Sequence, residues 1–180
     1  MSNPVRPYLD YSPTLGKRIM IDESSVIIGN VVLGDDVSVW PLVVIRGDVN
    51  QVTIGARSNI QDGSVLHVTH NSEHNPEGNA LVIGEDVTVG HKTMLHGCTI
   101  GNRVLVGMGS ILLDGAVIED DVMIGAGSLV SPGKRLVSGH LYMGNPTRQI
   151  RPLTAAELEG LHYSASNYVG WKDHHLAETK

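Results

Sequence analysis

The sequence predicts an all-β solenoid, a parallel β-helix of hexapeptide repeats that ends in a single C-terminal α-helix. Three observations carry this. Aliphatic residues recur every six positions at Ile83, Val89, Leu95, Ile100, Val106, Leu112, Ile118, Ile124 and Val130, with one five-residue step between Leu95 and Ile100. Neither a 3.6-residue period nor strict alternation fits that spacing. A six-residue period is the mark of short strands and turns coiled and stacked on themselves. The composition agrees: Phe is absent, aromatics make up 4%, and there are 21 glycines, which suits a narrow coil of stacked β-branched residues with glycine at its corners. Finally, only one stretch, beyond Thr154, has a convincing helical pattern.

Residues 1–18 read as a polar, proline-containing lead-in, and residues 19–138 as the β-helix. The ladder starts at Ile21 and runs through Ile27, Leu33, Val39 and Ile45. It breaks at RGDVNQV (46–52), where three extra residues intrude, and resumes at Ile54, Ile60 and Leu66. HVTHNSEHNPEGNA (67–80) is polar, with Asn, Pro and Gly, and reads as a loop. The ladder returns at Ile83 and ends near Leu136. Residues 139–180 form a turn followed by the helix. Thr154 is its expected N-cap, with Glu157 three places on. Leu158, Leu161, Ala165, Tyr168 and Val169 then fall on one stripe that faces the coil.

At 180 residues the chain is long enough for one domain with its own core. Its net charge of −6 disfavours nucleic acid or an acidic membrane surface as a general partner. A single cysteine, Cys98, excludes an intrachain disulfide. No run approaches 18 apolar residues and no apolar signal segment opens the chain, so a cytoplasmic protein is expected. Each coil should hold three six-residue sides, about 18 residues, with coils stacked roughly 4.8 Å apart.

The chemistry lies in three of the nine histidines. His67 follows the ladder residue Leu66, and His96 follows Leu95, so they share a phase in the repeat. They lie 29 residues apart, one coil of about 18 plus roughly 11 from the intervening loop. Two imidazoles should therefore leave the same side of neighbouring coils, close enough to share a metal with bonds of about 2.0–2.1 Å. His91 sits one side earlier and aims elsewhere, so it can join such a pair only from a neighbouring chain. Three prisms round a threefold axis would give three interfacial sites. Against this stands the bland reading: a solitary histidine is more often structural or solvated than a ligand. His70 and His74 read as solvated loop or rim residues, and His140, His162, His174 and His175 as surface or turn residues. Cys98 reads as a small core residue. Near the same level, Arg46 and Asp48 in IRGDV, and Gln61 and Asp62 in IQDG, interrupt the apolar wall. An Arg46–Asp ion pair that locks a trimer and a hydrogen-bond network that orients metal-bound solvent, with Gln61 as partner, both account for them.

WPLVVIRGDVNQVTIGARSNIQDGSVLH, VGHKTMLHGCTIG and YMGNPTRQIRPLTAAEL resemble the gamma-class carbonic anhydrase family, in particular its bacterial carbonic-anhydrase-like branch of hexapeptide-repeat proteins. The resemblance spans most of the chain. It implies a left-handed β-helix, a homotrimer, and a zinc-type ion, with iron or cobalt as alternatives, held by His67 and His96 of one chain and His91 of the next. It matches Arg46 and Asp48 to an interface pair, Gln61 and Asp62 to residues that hold metal-bound solvent, and Tyr168 to a helix position that reaches toward the metal. The implied reaction is reversible hydration of CO2 to bicarbonate by a metal-bound hydroxide. One departure counts against full activity: the fully active type carries Glu after the RxD motif, where this chain has Val49. His70, Glu73, His74 and Glu77 are the loop groups that can stand in for a proton shuttle. Two other functions remain open. One is a hexapeptide acyltransferase, which usually needs a single catalytic histidine. The other is a non-catalytic metal-binding or scaffold protein that kept the site.

Overall fold

A computed structural model describes residues 3–178. Residues 1–2 and 179–180, the ends of the expected lead-in and tail, lie outside the described residues. The chain winds as a three-walled prism of short parallel strands, the expected solenoid, with one helix, Ala155–Glu178, laid along it.

The first wall runs from the start of Val44–Ile54 through Val65–His67, Met94–His96, Ile111–Leu112 and Leu129–Val130. The second runs from the end of Val44–Ile54 through Leu81–Ile83, Thr99–Ile100, Val117–Ile118 and Arg135–Leu136. The third stacks Met20–Ile21, Ser38–Val39, Asn59–Ile60, Thr88–Val89, Leu105–Val106, Met123–Ile124 and His140–Met143. The six-residue ladder points inward: Ile27, Ile45, Leu66, Leu95, Leu112, Ile60, Val89, Val106, Ile83, Ile100 and Ile118 are all buried in one core. Stacking like on like at strand spacing is what makes a narrow core without Phe dense enough to hold.

The insertion at 46–52 does not break the strand. Val44–Ile54 runs unbroken round an edge, paired to Val26–Leu33 with a register shift between Gly29 and Val31. The segment ahead of Ile19 also joins the sheet, because Val5–Arg6 and Thr14–Leu15 both pair with Val26–Leu33. The 67–80 loop folds on itself through Thr69–Asn79 and Ser72–Asn75 bridges.

The helix packs on the third wall against the strands that carry Met20, Ser38, Asn59 and Thr88. Its N-terminus is a capping box: Glu157 N–H donates to Thr154 Oγ1 (3.2 Å), and Thr154 N–H donates to Glu157 Oε2 (2.9 Å). Leu161 and Ala165 are buried as expected, but Leu158 is exposed. The helix's deepest side chain is instead Lys172, whose ammonium donates to Asp36 (3.1 Å) and to the Arg18 carbonyl (3.1 Å) and pairs with Asp173.

Candidate metal centre

The first wall carries the candidate site on its two edges. At one edge the ladder pairs His67 directly with His96. Their facing nitrogens, His67 Nδ1 and His96 Nε2, are 3.1 Å apart. Equal phase in the repeat becomes equal position in space because parallel strands keep register coil after coil.

Each ring is backed by a carboxylate on its other nitrogen. His67 Nε2 lies 3.0 Å from Asp48 Oδ1, and His96 Nδ1 lies 2.6 Å from Asp114 Oδ1. Arg46 pairs with Asp48 in the same chain. Desolvation pushes the Asp48 carboxyl up, but hydrogen bonds from His67 and Arg46 outweigh it, so the group stays below its ordinary range. Thr69 Oγ1 donates to Asp114 Oδ2 (2.8 Å), tying the loop's start to this network. The five-residue step after Leu95 tightens this edge. Gly97, at φ +52°, follows His96, and a Cβ there would sit 2.5 Å from Asp114 Oδ1. Glycine lets the carboxylate reach the ring.

His91 stands at the opposite edge of the same wall, where the third wall turns into the first. Its Nδ1 lies 2.9 Å from Asp62 Oδ2, and both side chains are nearly half exposed. Among the described residues of one chain, no three His, Cys, Asp or Glu groups come together as a metal site. Gln61 is buried beside this edge and donates to Asn59 Oδ1 (3.0 Å). Asn59 in turn donates to Thr88 Oγ1 (3.1 Å), which meets Ser164 of the helix at 2.9 Å. Tyr168 packs edge-on against Trp40 at 5.4 Å, and its phenol is pushed up by desolvation and by the charge of Asp62. The site residues thus fall into two groups: Arg46, Asp48, His67 and His96 at one edge, and Gln61, Asp62, His91 and Tyr168 at the other.

Asp114 was missed from sequence. It lies 18 residues beyond His96 on a coil of 17, one position out of phase, opposite Gly97 rather than His96. His70 and His74 are exposed on the loop. Cys98 is buried and its thiol is pushed up to about 12 by desolvation, which makes it inert.

Residues 97–132 match the bacterial transferase hexapeptide family, six repeats. The chain is 72% identical to protein YrdA of Escherichia coli over 98% of its own length and 96% of that protein. It is 40% identical to a carbonic anhydrase of Geobacillus kaustophilus, over 92% of this chain and 87% of that one. A solved hexapeptide transferase family protein from Anaplasma phagocytophilum superimposes with a TM-score of 0.88 at 39% identity, covering 96% of this chain and 98% of the other. The six-residue coils, the paired histidines and a relative named as a carbonic anhydrase over nearly its whole length place this chain in the gamma-class carbonic anhydrase family of hexapeptide-repeat proteins.

Proposed function

We propose that the protein is a metal-dependent carbonic anhydrase that hydrates CO2 reversibly at the interfaces of a homotrimer. The observation that carries this reading is the placement of two carboxylate-backed imidazoles at one edge of a wall and a third at the other. With the first wall turned toward a threefold axis, the His91 edge of each chain meets the His67–His96 edge of the next. The same wall carries an outward column in register, Val44, Val65, Met94, Ile111 and Leu129, of which Met94 and Ile111 are exposed in the single chain. Apolar side chains on an otherwise open wall gain by being covered.

The donor set fits a zinc-type ion. Two ligands about 2.05 Å from one tetrahedral ion sit about 3.3 Å apart, close to the 3.1 Å between the facing nitrogens. His67 and His96 of one chain and His91 of the next would hold it, with Zn2+ as the expected ion and Fe2+ or Co2+ as alternatives. When bound, the ion acts as a Lewis acid that makes water nucleophilic near neutral pH. Asp48, Asp114 and Asp62 fix the tautomer and aim of the three rings. Arg46 holds Asp48 ionised. Gln61, anchored by Asn59, orients substrate oxygen, and Tyr168 walls the approach to His91.

A homotrimer purified without chelator should carry close to one ion per chain and hydrate CO2 in stopped-flow, and His91→Ala should lose both. Hydration no faster than that of His91→Ala would sink the enzyme reading. Val49, exposed beside Asp48 where the fully active type has Glu, favours a second reading of a metal-binding protein without fast chemistry. Full metal loading with no hydration selects it. An acyltransferase reading gains nothing from three carboxylate-backed histidines.

A further inference from the structure

The C-terminal helix meets the third wall through a hydroxyl as well as through Leu161 and Ala165. Ser164 Oγ lies 2.9 Å from Thr88 Oγ1 across the seam. Thr88 Oγ1 accepts from Asn59 Nδ2 (3.1 Å), and Asn59 Oδ1 accepts from Gln61 Nε2 (3.0 Å). Asn59 is fully buried, and Gln61 and Thr88 are each only 5% exposed. A polar chain sheltered from water thus runs from the helix to the edge that carries His91, and a sheltered chain holds its members firmly.

The chain has one direction. Asn59 Nδ2 also faces the Val87 carbonyl (3.4 Å), which can only accept. The Asn59 nitrogen therefore lies on that side, and its oxygen faces Gln61. That oxygen can only accept in turn, so Gln61 spends its Nε2 on it. Thr88, having accepted from Asn59, keeps its own proton for Ser164 Oγ. What remains is Gln61 Oε1. It takes no hydrogen bond among the described residues and is not a buried orphan, so it opens to solvent. Gln61 offers an acceptor there and no donor. Such a group holds a species through an O–H. Bicarbonate has one; nitrate, a planar anion of the same charge, has none.

We infer that Thr88 and Ser164 are positioning residues through which the C-terminal helix fixes Gln61 with its carbonyl outward, so that the site favours bicarbonate over nitrate. Both act through Asn59 and Gln61. Resting on the CO2 reading above, this gives the helix the choice of oxyanion.

Two measurements test it. The first needs no metal and no activity. In 15N-labelled protein the side-chain amide signals of the three glutamines, Gln51, Gln61 and Gln149, are separable, and the one lost in Gln61→Glu belongs to Gln61. Its protons should exchange with water about tenfold faster in Thr88→Val than in the wild type. Thr88→Ser should keep the wild-type rate, and Ser164→Ala should fall between. The Gln61 backbone amide, bonded to the Val89 carbonyl (3.0 Å), is the internal reference and should not change, as it would if the wall itself loosened. The second measurement uses the active trimer. In Thr88→Val the ratio of the nitrate inhibition constant to the bicarbonate KM should fall about tenfold, and Thr88→Ser should restore it. Equal side-chain exchange in Thr88→Val and wild type overturns the positioning role and leaves the CO2 reading standing. An active Thr88→Val enzyme with the wild-type ratio overturns the selectivity in the same way. A wild type that hydrates no CO2 removes the CO2 reading and the selectivity together, a result distinct from both.

Discussion

Single side chains decide whether this wall can hold an ion. A histidine ligand works only when its other nitrogen is fixed, and all three candidate rings meet a carboxylate there. Asp114 is the sharpest test, because it touches both His96 and Thr69. Asp114→Asn should weaken metal affinity by about 10- to 100-fold, read by competition with a chromophoric chelator, while the assembly stays intact. An unchanged affinity would reduce Asp114 to a structural hydrogen bond. Cys98 gives a second expectation at this scale. With its thiol buried and pushed up to about 12, it should resist a disulfide exchange reagent at pH 8 in the native protein and react fully once unfolded. His67 and His96 were legible in the sequence because a repeat of fixed phase is also a map of space. Asp114 was not legible in that way, since the five-residue step sets it one position out of phase with His96 and an aspartate before glycine looks like an ordinary turn.

At the scale of elements, one prism corner is built from charge where glycine would be expected. Arg18, Asp36, Arg57, Asp86, Arg103 and Asp121 all have positive φ, between 52° and 60°. Such backbone costs an L-residue roughly 1–2 kcal/mol. Arginine and aspartate offset it by pairing across coils: Arg57 Nε to Asp86 at 2.7 Å, Arg103 Nε to Asp121 at 2.6 Å, and Arg18 to Asp36. The hexapeptide ladder showed where this corner lies. The pairing itself was not legible, because it depends on which coil stacks on which across steps of unequal length. Lys172 was missed for a related reason, since a lysine on a helix reads as solvated until a carboxylate is known to wait beneath it. Asp36→Ala would leave that ammonium buried with only the Arg18 carbonyl and the partly exposed Asp173. The loss should be about 3–5 kcal/mol in urea denaturation at matched protein concentration. The helix start carries the pH dependence. Arg151 first, then the Thr154 amide, hold the Glu157 carboxyl down at about 2 against an ordinary 4.5. Its folded value is depressed, so its stabilisation is present above pH 4.5 and fades as pH falls toward 2. Hydrogen exchange in the first helical turn should therefore speed up between pH 4.5 and 2 in the wild type. Glu157→Ala should exchange fast throughout that range.

For the whole molecule, the argument turns on which wall faces a neighbour. The third wall is covered by its own helix over the strands from Met20 to Val89. The second wall presents Thr53, Val82, Thr99, Val117 and Arg135, a column that mixes polar and apolar groups. Only the first wall combines a continuous aliphatic column with candidate ligands on both edges. That combination separates fold from assembly. Met94 and Ile111 point out of the coil, while their neighbours Leu95 and Leu112 fill the core. The double variant Met94→Glu, Ile111→Glu should therefore keep the β-rich circular dichroism of the wild type. Repulsion among glutamates gathered at one axis should make it sediment as a monomer. The metal outcome follows from geometry: a monomer keeps His67 and His96 at one edge and His91 at the other, so tight binding should vanish although every ligand is present. A monomer that still bound one ion per chain with wild-type affinity would show that the site closes within a single prism, and the trimer would then have nothing to do with the chemistry.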